Sequence, residues 1–305
     1  MAGSRYAYVR NFELPDPLLP STFFVIRIDG KGFHGFSKLH NFDKPNDKNA
    51  LTLMNEAAKR VVGGRELNGE CVLAFGESDE YSKLVTLVVS VFSAAYVALW
   101  PQYFPNSPLT LEELPVFDGR VVQYTSEEEV RDYLRWRQVD THINNLYNTA
   151  FWALVLQGGR TNLEAEKDLQ GTISSQKQEM LFSRFGLNYN TVDPMYKKGS
   201  IVMWEDESRV EAPDASVGVV TPSSKLELTA VYRMMPALQE SASTEAATTA
   251  EGAAPRGMPS LPPGVKPRMR KKPAKPKRRL VVLHEDLIND AWWEEGGRGD
   301  GLLSG

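Results

Sequence analysis

The sequence predicts an α+β protein, with a sheet that carries helices on one face in its first part and a mainly helical second part. Three observations predict this class. Strand-like apolar runs alternate with helical periodicity up to about residue 125, helical patterns prevail from there to 236, and the composition then shifts to Ala, Thr, Ser and Pro. A chain of 305 residues is long enough for two modest domains with buried cores.

The first part, residues 1–125, reads as strand, helix, strand, acidic turn, helix and strand. Its strands are β-branched or aromatic runs, whereas the run 83–100 is too long for a strand and predicts a buried helix. Asn46 or Asp47 can cap the earlier helix, because a side-chain oxygen there accepts a free backbone N–H. The predicted strands are residues 23–28, which end at Asp29-Gly30, residues 71–75 and residues 120–124.

The second part, residues 126–236, opens with the spacing of a capping box, since Ser126 precedes Glu129 by three residues. The helix that begins there can extend to Gly158-Gly159. Two more elements are predicted further on, a helix over residues 174–185 that Gly186 ends and a hairpin over residues 196–204.

Residues 237–279 predict a disordered linker, rich first in Ala and Pro and then in Lys and Arg, because little in them can form a core. Its end, residues 266–279, holds nine basic residues and no acidic one, so the rest of the chain carries a net charge of −13. This run suits a nuclear import signal, a tether for a polyanion or a plain solvated linker. Residues 280–305 recover an apolar run and two tryptophans and predict a tail that docks on the body.

The composition argues against several classes of protein. The single cysteine, Cys71, cannot form a disulfide within the chain. No run approaches the roughly 20 apolar residues needed to cross a bilayer, so no membrane segment is expected. The expected location is the cytoplasm, the nucleus or both.

Carboxylates stand at the ends of two predicted strands. Asp29 ends the first strand, and Ser78-Asp79-Glu80 follow the second. If these strands are neighbours, Asp29, Asp79 and the carbonyl of Gly30 converge, and such oxygen ligands suit Mg2+. Two such ions would bridge a triphosphate and an attacking hydroxyl. The alternative is that both segments are ordinary polar turns.

Two further segments can contact phosphate. The stretch GKGFHGF, which begins at Gly30, has three glycines that permit a close backbone approach, although it is not a P-loop. Lys44, Asn46 and Asp47 lie at a predicted helix N-terminus, where a lysine and free amides can hold an anion. A plain helix cap would account for Asn46 and Asp47 but not for Lys44.

The helix after Ser126 presents a polar face. Asp140, Asn144 and Asn148 recur every fourth residue, and Arg137 lies close to the same face. Such a face suits RNA phosphates and sugars, and equally an ordinary helix–helix interface. His142 is a candidate proton carrier, but a lone helical histidine is by default a structural residue.

Seven segments in order resemble the eukaryotic tRNA-histidine guanylyltransferases: RIDGKGFHGFS, HNFDKPND, AFGESDEYS, DYLRWRQVDTHINNLYNTAFWAL, MLFSRFGLNYN, PMYKKGS and HEDLINDAWWEE. The resemblance implies a nucleotidyltransferase that adds one guanylate to the 5′ end of tRNA(His). ATP would first adenylylate the tRNA 5′ phosphate, and the 3′ hydroxyl of GTP would then attack. It also implies a palm-like (ferredoxin-like) catalytic sheet, two Mg2+ ions and a homotetramer.

The resemblance assigns roles to individual residues. Asp29, Gly30 and Asp79 would hold the metal ions, with Glu80 in support of catalysis. The nucleotide-binding positions would be Asp29, Gly30, Lys31, Gly32, Phe33, His34, Lys44, Asn46, Asp47, Ser78 and Asp79. The tRNA-binding positions would be Arg137, His142, Asn144, Asn145 and Lys198.

The chain departs from the family after Ser82. Where the family continues with a second hairpin strand and a basic helix start, Ser82 runs straight into Lys83-Leu84, so one inner palm strand is missing. The missing piece predicts poor folding or far slower turnover than in the relatives, and its neighbours would be unpaired unless another segment fills the gap. The alternatives are a tRNA-binding homologue with weak or no activity and a palm-type nucleotide cyclase.

Overall fold

The computed structural model describes residues 8, 19, 22–64, 81–206, 227–233 and 278–303. Its strands are β1 (Phe23–Lys31), β2 (Val116–Tyr124), β3 (Ile201–Asp206), β4 (Glu227–Arg233) and β5 (Arg278–Leu283). Its helices are α1 (Phe33–Leu39), α2 (Lys48–Val62), α3 (Tyr81–Tyr103), α4 (Glu127–Leu156), α5 (Asn162–Leu169), α6 (Ser174–Phe185) and α7 (Pro194–Lys198). The predicted combination of small sheets with helices is confirmed.

The larger sheet has the order β2-β1-β4, and both pairs are antiparallel. Strand side chains alternate between faces, and Ile26 and Ile28 of β1 are fully buried in a cluster with residues of α2 and α3. On the opposite face Phe23 and Val25 pack with Val130 of α4. The remainder of that second face carries the polar end of β1, which includes Asp29.

A second, two-stranded sheet pairs β3 with β5. The residues after β5 contact α4 and β3 through ionic and polar groups. Arg135 of α4 pairs with Asp290 at 2.6 Å, and Arg298 pairs with Glu205 at 3.2 Å. Trp292 and Trp293 are buried in the same cluster as Phe23. Burial of these large rings holds the end of the described chain against α4 and the sheets.

Three predicted helix signals are confirmed. The Asp47 side chain accepts from the N–H of Ala50 and caps α2. Ser126 and Glu129 form the expected reciprocal capping box at the start of α4. Gly186 ends α6 with a left-handed backbone, φ 65°, which glycine adopts without a Cβ penalty.

Two local predictions are wrong. The first strand does not stop at Asp29-Gly30 but continues to Lys31. Gly30 is instead a position of close packing, because the ring of Phe33 occupies the space that a Cβ there would need. The predicted hairpin over 196–204 has no first strand, because α7 forms there instead. Asp193 caps this helix by accepting from the N–H of Met195 at 2.9 Å, and Pro194 suits its first position. The predicted strand 71–75 lies outside the described residues.

The expectation that no run reaches membrane-spanning length is also wrong for one helix. Residues Leu84–Tyr103 of α3 are long and apolar enough to cross a bilayer by length and composition alone. In the fold, one side of α3 supplies Val88, Phe92, Tyr96 and Trp100 to the main core, each at most 1% exposed. In all, 28% of the 18-residue apolar window of this helix is buried in the fold.

Candidate nucleotide and RNA site

Asp29 lies on the partly open face of the larger sheet. Its side chain is 32% exposed, and it pairs with Arg27 at 3.4 Å. The strand register places Arg27 opposite Arg120 and Asp29 opposite Asp118, so charges of one sign face each other across β1 and β2. An exposed carboxylate at the end of a sheet is available to a cation.

The other predicted acidic residues, Asp79 and Glu80, lie outside the described residues together with Ser78. Within the part of the chain that the structure describes, no group of three or more metal-ligating residues converges. Asp29 and the backbone carbonyl of Gly30 are hard oxygen donors of the kind that Mg2+ prefers. Both edges of β1 are paired, one with β2 and the other with β4, so neither is open to the neighbouring strand on which the predicted convergence of Asp29 and Asp79 depended.

The glycine-rich segment divides into exposed and buried positions. Lys31, Gly32 and His34 are exposed, and Gly32 has a left-handed backbone with φ 70° at the start of α1. Phe33 is buried instead, with its ring 5.2 Å from that of Phe117. The side chain of Phe33 is therefore part of the core, and the exposed neighbours are the positions that a nucleotide can reach.

Lys44 and Asp47 occupy the turn before α2. The ammonium of Lys44 lies 3.3 Å from the Ser37 hydroxyl, and burial lowers its pKa despite the opposing effect of Asp47. The two Asp47 oxygens accept from the backbone N–H groups of Ala50 and Asp43 at 2.9 and 3.1 Å. The capping alternative thus accounts for Asp47, while Lys44 keeps donors for an anion.

The structure brings together two predicted site residues from distant parts of the sequence. The side-chain amide of Asn145 donates from Nδ2 to the side-chain oxygen Oδ1 of Asn46 at 2.8 Å. The Tyr189 hydroxyl donates to Oδ1 of Asn145 at 3.0 Å. Asn46 and Asn145 are each 1% exposed. In this conformation they connect the Lys44 turn to α4, and Asn144 lies beside them, partly exposed.

The remaining predicted tRNA-binding residues lie along α4 and α7. Arg137 pairs with Asp140 at 3.1 Å, and Lys198 is partly exposed. Sequence reasoning missed Gln138, which is buried and donates to the carbonyls of Lys198 and Glu285 at 2.9 Å each. No local pattern reveals such a residue, because its partners lie 60 and 147 residues away.

His142 lies next to Tyr189, with the two rings 5.5 Å apart. Burial lowers the pKa of His142 below its usual value, and the positive charge of Lys197 lowers it further. Burial likewise lowers the pKa of His40, whose Nδ1 lies 2.9 Å from the Ser107 hydroxyl. His142 is therefore neutral at pH 7 in the folded chain.

The lowered pKa values predict a loss of stability in weak acid. Below about pH 6.5, the unfolded-state value for histidine, the unfolded chain binds more protons than the folded one. The contribution is complete above that pH and is lost as the pH falls towards the folded-state pKa. We expect His142→Gln to reduce the difference in unfolding free energy between pH 7.5 and 5.5, and addition of His40→Gln to reduce it further. Urea denaturation checks this, and an unchanged difference would contradict it.

Both parts of the chain match known protein families. The family model described as tRNAHis guanylyltransferase matches residues 6–125, and the family model described as Thg1 C terminal domain matches residues 128–289. The tRNA(His) guanylyltransferase of Eremothecium gossypii is 55% identical over 217 residues, which cover 66% of this chain and 91% of that protein. The Neurospora crassa enzyme of the same name is 42% identical over 323 positions, which cover 100% of this chain and 97% of that protein.

Solved structures show the same relationship. The crystal structure of the Saccharomyces cerevisiae tRNA(His) guanylyltransferase has a TM-score of 0.59 and 42% identity, and it covers 77% of this chain and 98% of its own. A bacterial guanylyltransferase-like protein in complex with ATP shares the fold alone, with a TM-score of 0.53, 22% identity and coverage of 68% and 90%. The fold and these matches define a nucleotidyltransferase. The chain belongs to the tRNA(His) guanylyltransferase family.

Proposed function

We propose that this protein adds a single guanylate to the 5′ end of tRNA(His). ATP adenylylates the 5′ phosphate and pyrophosphate leaves. The 3′ hydroxyl of GTP then displaces AMP, and pyrophosphate is removed from the new 5′ end. The observation that carries this proposal is the partly exposed Asp29 carboxylate near the end of β1, in a chain that matches both family domains in order. Similarity to enzymes of that name, at 42–55% identity, supports the substrate.

The proposed mechanism assigns the metal to the end of the larger sheet. Asp29, the Gly30 carbonyl and Asp79 would hold two Mg2+ ions, and bound Mg2+ would supply charge stabilisation on the phosphates and lower the pKa of the attacking hydroxyl. Glu80 supports this carboxylate group. Lys31, His34 and Lys44 contact the nucleotide phosphates, because their side chains are exposed or partly exposed around Asp29 and the α2 turn.

The RNA is proposed to lie along α4 and α7. Arg137, His142, Asn144 and Lys198 are partly exposed there and offer donors for phosphate and ribose oxygens. Asn145 acts from beneath this surface, since it is buried. We further propose a homotetramer and a palm-like role for the larger sheet, as the family resemblance implies.

Two observations bear on the proposed absence of one inner strand after Ser82. The comparison with the Neurospora protein extends over 323 positions and covers all 305 residues of this chain, so at least 18 positions, summed over the whole comparison, have no counterpart here. In addition, β1 pairs with β2 on one side and with β4, over a hundred residues beyond α3, on the other. β4 thus occupies the second edge of β1, and we propose that the missing strand would otherwise pair at this edge.

The missing segment favours a second candidate, a tRNA-binding homologue of low activity. Transfer of labelled guanylate from GTP to tRNA(His), with ATP and Mg2+, separates the two. We expect this chain to transfer guanylate slowly and Asp79→Ala to abolish transfer. A chain with the family segment restored after Ser82 should transfer guanylate faster by about tenfold or more, because the restored residues would contact the transferring phosphates. No transfer with intact tRNA binding would establish the second candidate. Equal rates for the present and restored chains would show that the segment is dispensable.

A further inference from the structure

Tyr189 stands at one end of a buried polar chain that leads to the proposed nucleotide site. It opens a short 3-10 turn, Tyr189–Thr191, and its side chain is 3% exposed within the apolar cluster that α4, α5 and α6 share. Its hydroxyl bonds to Asn145 of α4, and Asn145 bonds to Asn46 in the turn before α2. No contact with metal, nucleotide or RNA has been assigned to Tyr189.

Each link of this chain has a defined donor and acceptor. Burial raises the pKa of the Tyr189 hydroxyl, so this group stays protonated and donates. Asn145 accepts through Oδ1 at 3.0 Å, and its Nδ2 then points towards Oδ1 of Asn46 at 2.8 Å. A side-chain amide has one accepting end and one donating end. The donor at Tyr189 therefore decides which end of Asn145 meets Asn46.

Loss of the Tyr189 hydroxyl would leave the Asn145 amide without this restraint. If the amide kept its orientation, its Oδ1 would be buried without a donor. If it rotated by half a turn, Oδ1 of Asn145 would face Oδ1 of Asn46 with no proton between them. Both asparagines are 1% exposed, so water is not at hand to replace the lost bond, and either outcome weakens the hold on Asn46.

Asn46 is closely linked to Lys44. The two residues are separated only by Pro45, whose ring fixes its φ, so a shift of Asn46 is passed on along the backbone. The ammonium of Lys44 lies 3.3 Å from the Ser37 hydroxyl, which donates to the carbonyl of His34 at 3.0 Å. The position of Asn46 thus affects a lysine that lies beside α1, the helix that carries His34.

The turn that carries Lys44 is held both internally and from α4. Inside the turn, the N–H of Asp43 donates to Asp47 at 3.1 Å, and this bond maintains the shape of the turn. The bond from Asn145, 99 residues further along the chain, fixes where the turn lies relative to α4. The same helix places the ring of Trp152 6.0 Å from the Lys44 ammonium. The environment of the ammonium therefore depends on how the turn sits on α4.

We propose that Tyr189 is a positioning residue for the triphosphate of the bound nucleotide. Through Asn145 and Asn46, its hydroxyl holds Lys44 where the ammonium meets phosphate. The proposal rests on the proposed function, which assigns Lys44 to the nucleotide, and extends that site to a buried residue on the far side of α4's polar contact.

Titration of the full chain with the fluorescent nucleotide mant-GTP, in Mg2+ and without tRNA, tests this. We expect Lys44→Gln to raise the Kd about tenfold or more, as for loss of a charged hydrogen bond, and Tyr189→Phe to raise it about fivefold. In the Lys44→Gln chain, Tyr189→Phe should add less than about twofold, because the lysine through which it acts is gone. Each variant is titrated at a temperature where circular dichroism shows it folded.

Thr149→Val is the matched control. It also removes a buried hydroxyl that bonds to Asn145, but this bond goes to the backbone carbonyl within α4 and leaves the side-chain amide in place. Its Kd should stay within about twofold of the unaltered chain. An equal rise in Kd for Thr149→Val and Tyr189→Phe would show a general loss of packing and overturn the positioning role.

Two further outcomes would also overturn it. One is an unchanged Kd in Tyr189→Phe, and the other is an equal effect of Tyr189→Phe with and without Lys44, since a merely structural residue acts independently of the lysine. Guanylate transfer to tRNA(His) by the same preparations keeps the two ideas separate. Transfer with an unchanged Kd in Tyr189→Phe rejects the positioning role alone. Coupled losses of mant-GTP affinity in a chain that transfers no guanylate reject the proposed function alone.

Discussion

Replacement of Asp29 by alanine is expected to lower guanylate transfer at least about a thousandfold, because a metal ion that stabilises phosphoryl charge contributes several kcal/mol to the transition state. Affinity for tRNA(His) should change by no more than about twofold, since the proposed RNA surface lies on α4 and α7 and does not include this carboxylate. The measurements are single-turnover transfer of labelled GTP and filter binding of tRNA.

Asp118 supplies the matched control for this experiment. It stands opposite Asp29 in the strand register and pairs with its own neighbour, Arg120. Asp118→Ala therefore removes the same charge from the same sheet without touching the proposed metal ligand, and transfer should fall by less than about tenfold. Each exposed ion pair is worth no more than about 1 kcal/mol, so both variants should fold. Equal losses in the two variants would show that the charge of the sheet, and not a metal ligand, is responsible.

Replacement of Asn145 by leucine is expected to lower the free energy of unfolding by about 2–3 kcal/mol. The Tyr189 hydroxyl would lose its buried acceptor, and the side-chain hydrogen bond from Asn145 to Asn46 would be lost. This contact joins two segments that are 99 residues apart in the chain. Urea denaturation at pH 7.5 measures the change.

Thr149→Val is the control for Asn145. Thr149 is also buried on α4, but its hydroxyl bonds only to the Asn145 carbonyl one turn earlier in the same helix. We expect it to cost about 1 kcal/mol or less. A double-mutant cycle of Asn145→Leu with Tyr189→Phe should show a coupling of at least about 0.5 kcal/mol. Additive effects would mean that the observed bond contributes nothing to stability.

Helix starts and ends that depend on residues close together in the sequence were predicted well. The caps at Asp47 and Ser126 and the glycine that ends α6 are signals contained within four residues, and the structure confirms all three. The long apolar run that forms α3 was also recognised as a helix, because its length excludes a strand, but only 28% of its apolar window is buried. Its partners in the core were not predictable from that run.

The errors arose where local signals compete. Residues 194–198 lie between a loop and a strand, and an aspartate cap with a proline at the first position favoured a helix over the predicted hairpin. For the candidate site, the sequence identified Asp29, Lys44 and the α4 face, but it did not reveal that Asn145 is buried against Asn46 or that Gln138 connects three segments. Their partners are distant in sequence.

The sequence by itself determined the family, the caps of α2 and α4, the end of α6 and the residue types available for chemistry, because motifs and caps are properties of short segments. The tertiary structure decided which strand covers the second edge of β1 and which asparagines are buried. Each of these depends on contacts between segments far apart in the chain. Such contacts form only when the whole chain buries its apolar faces together, so no single segment specifies them.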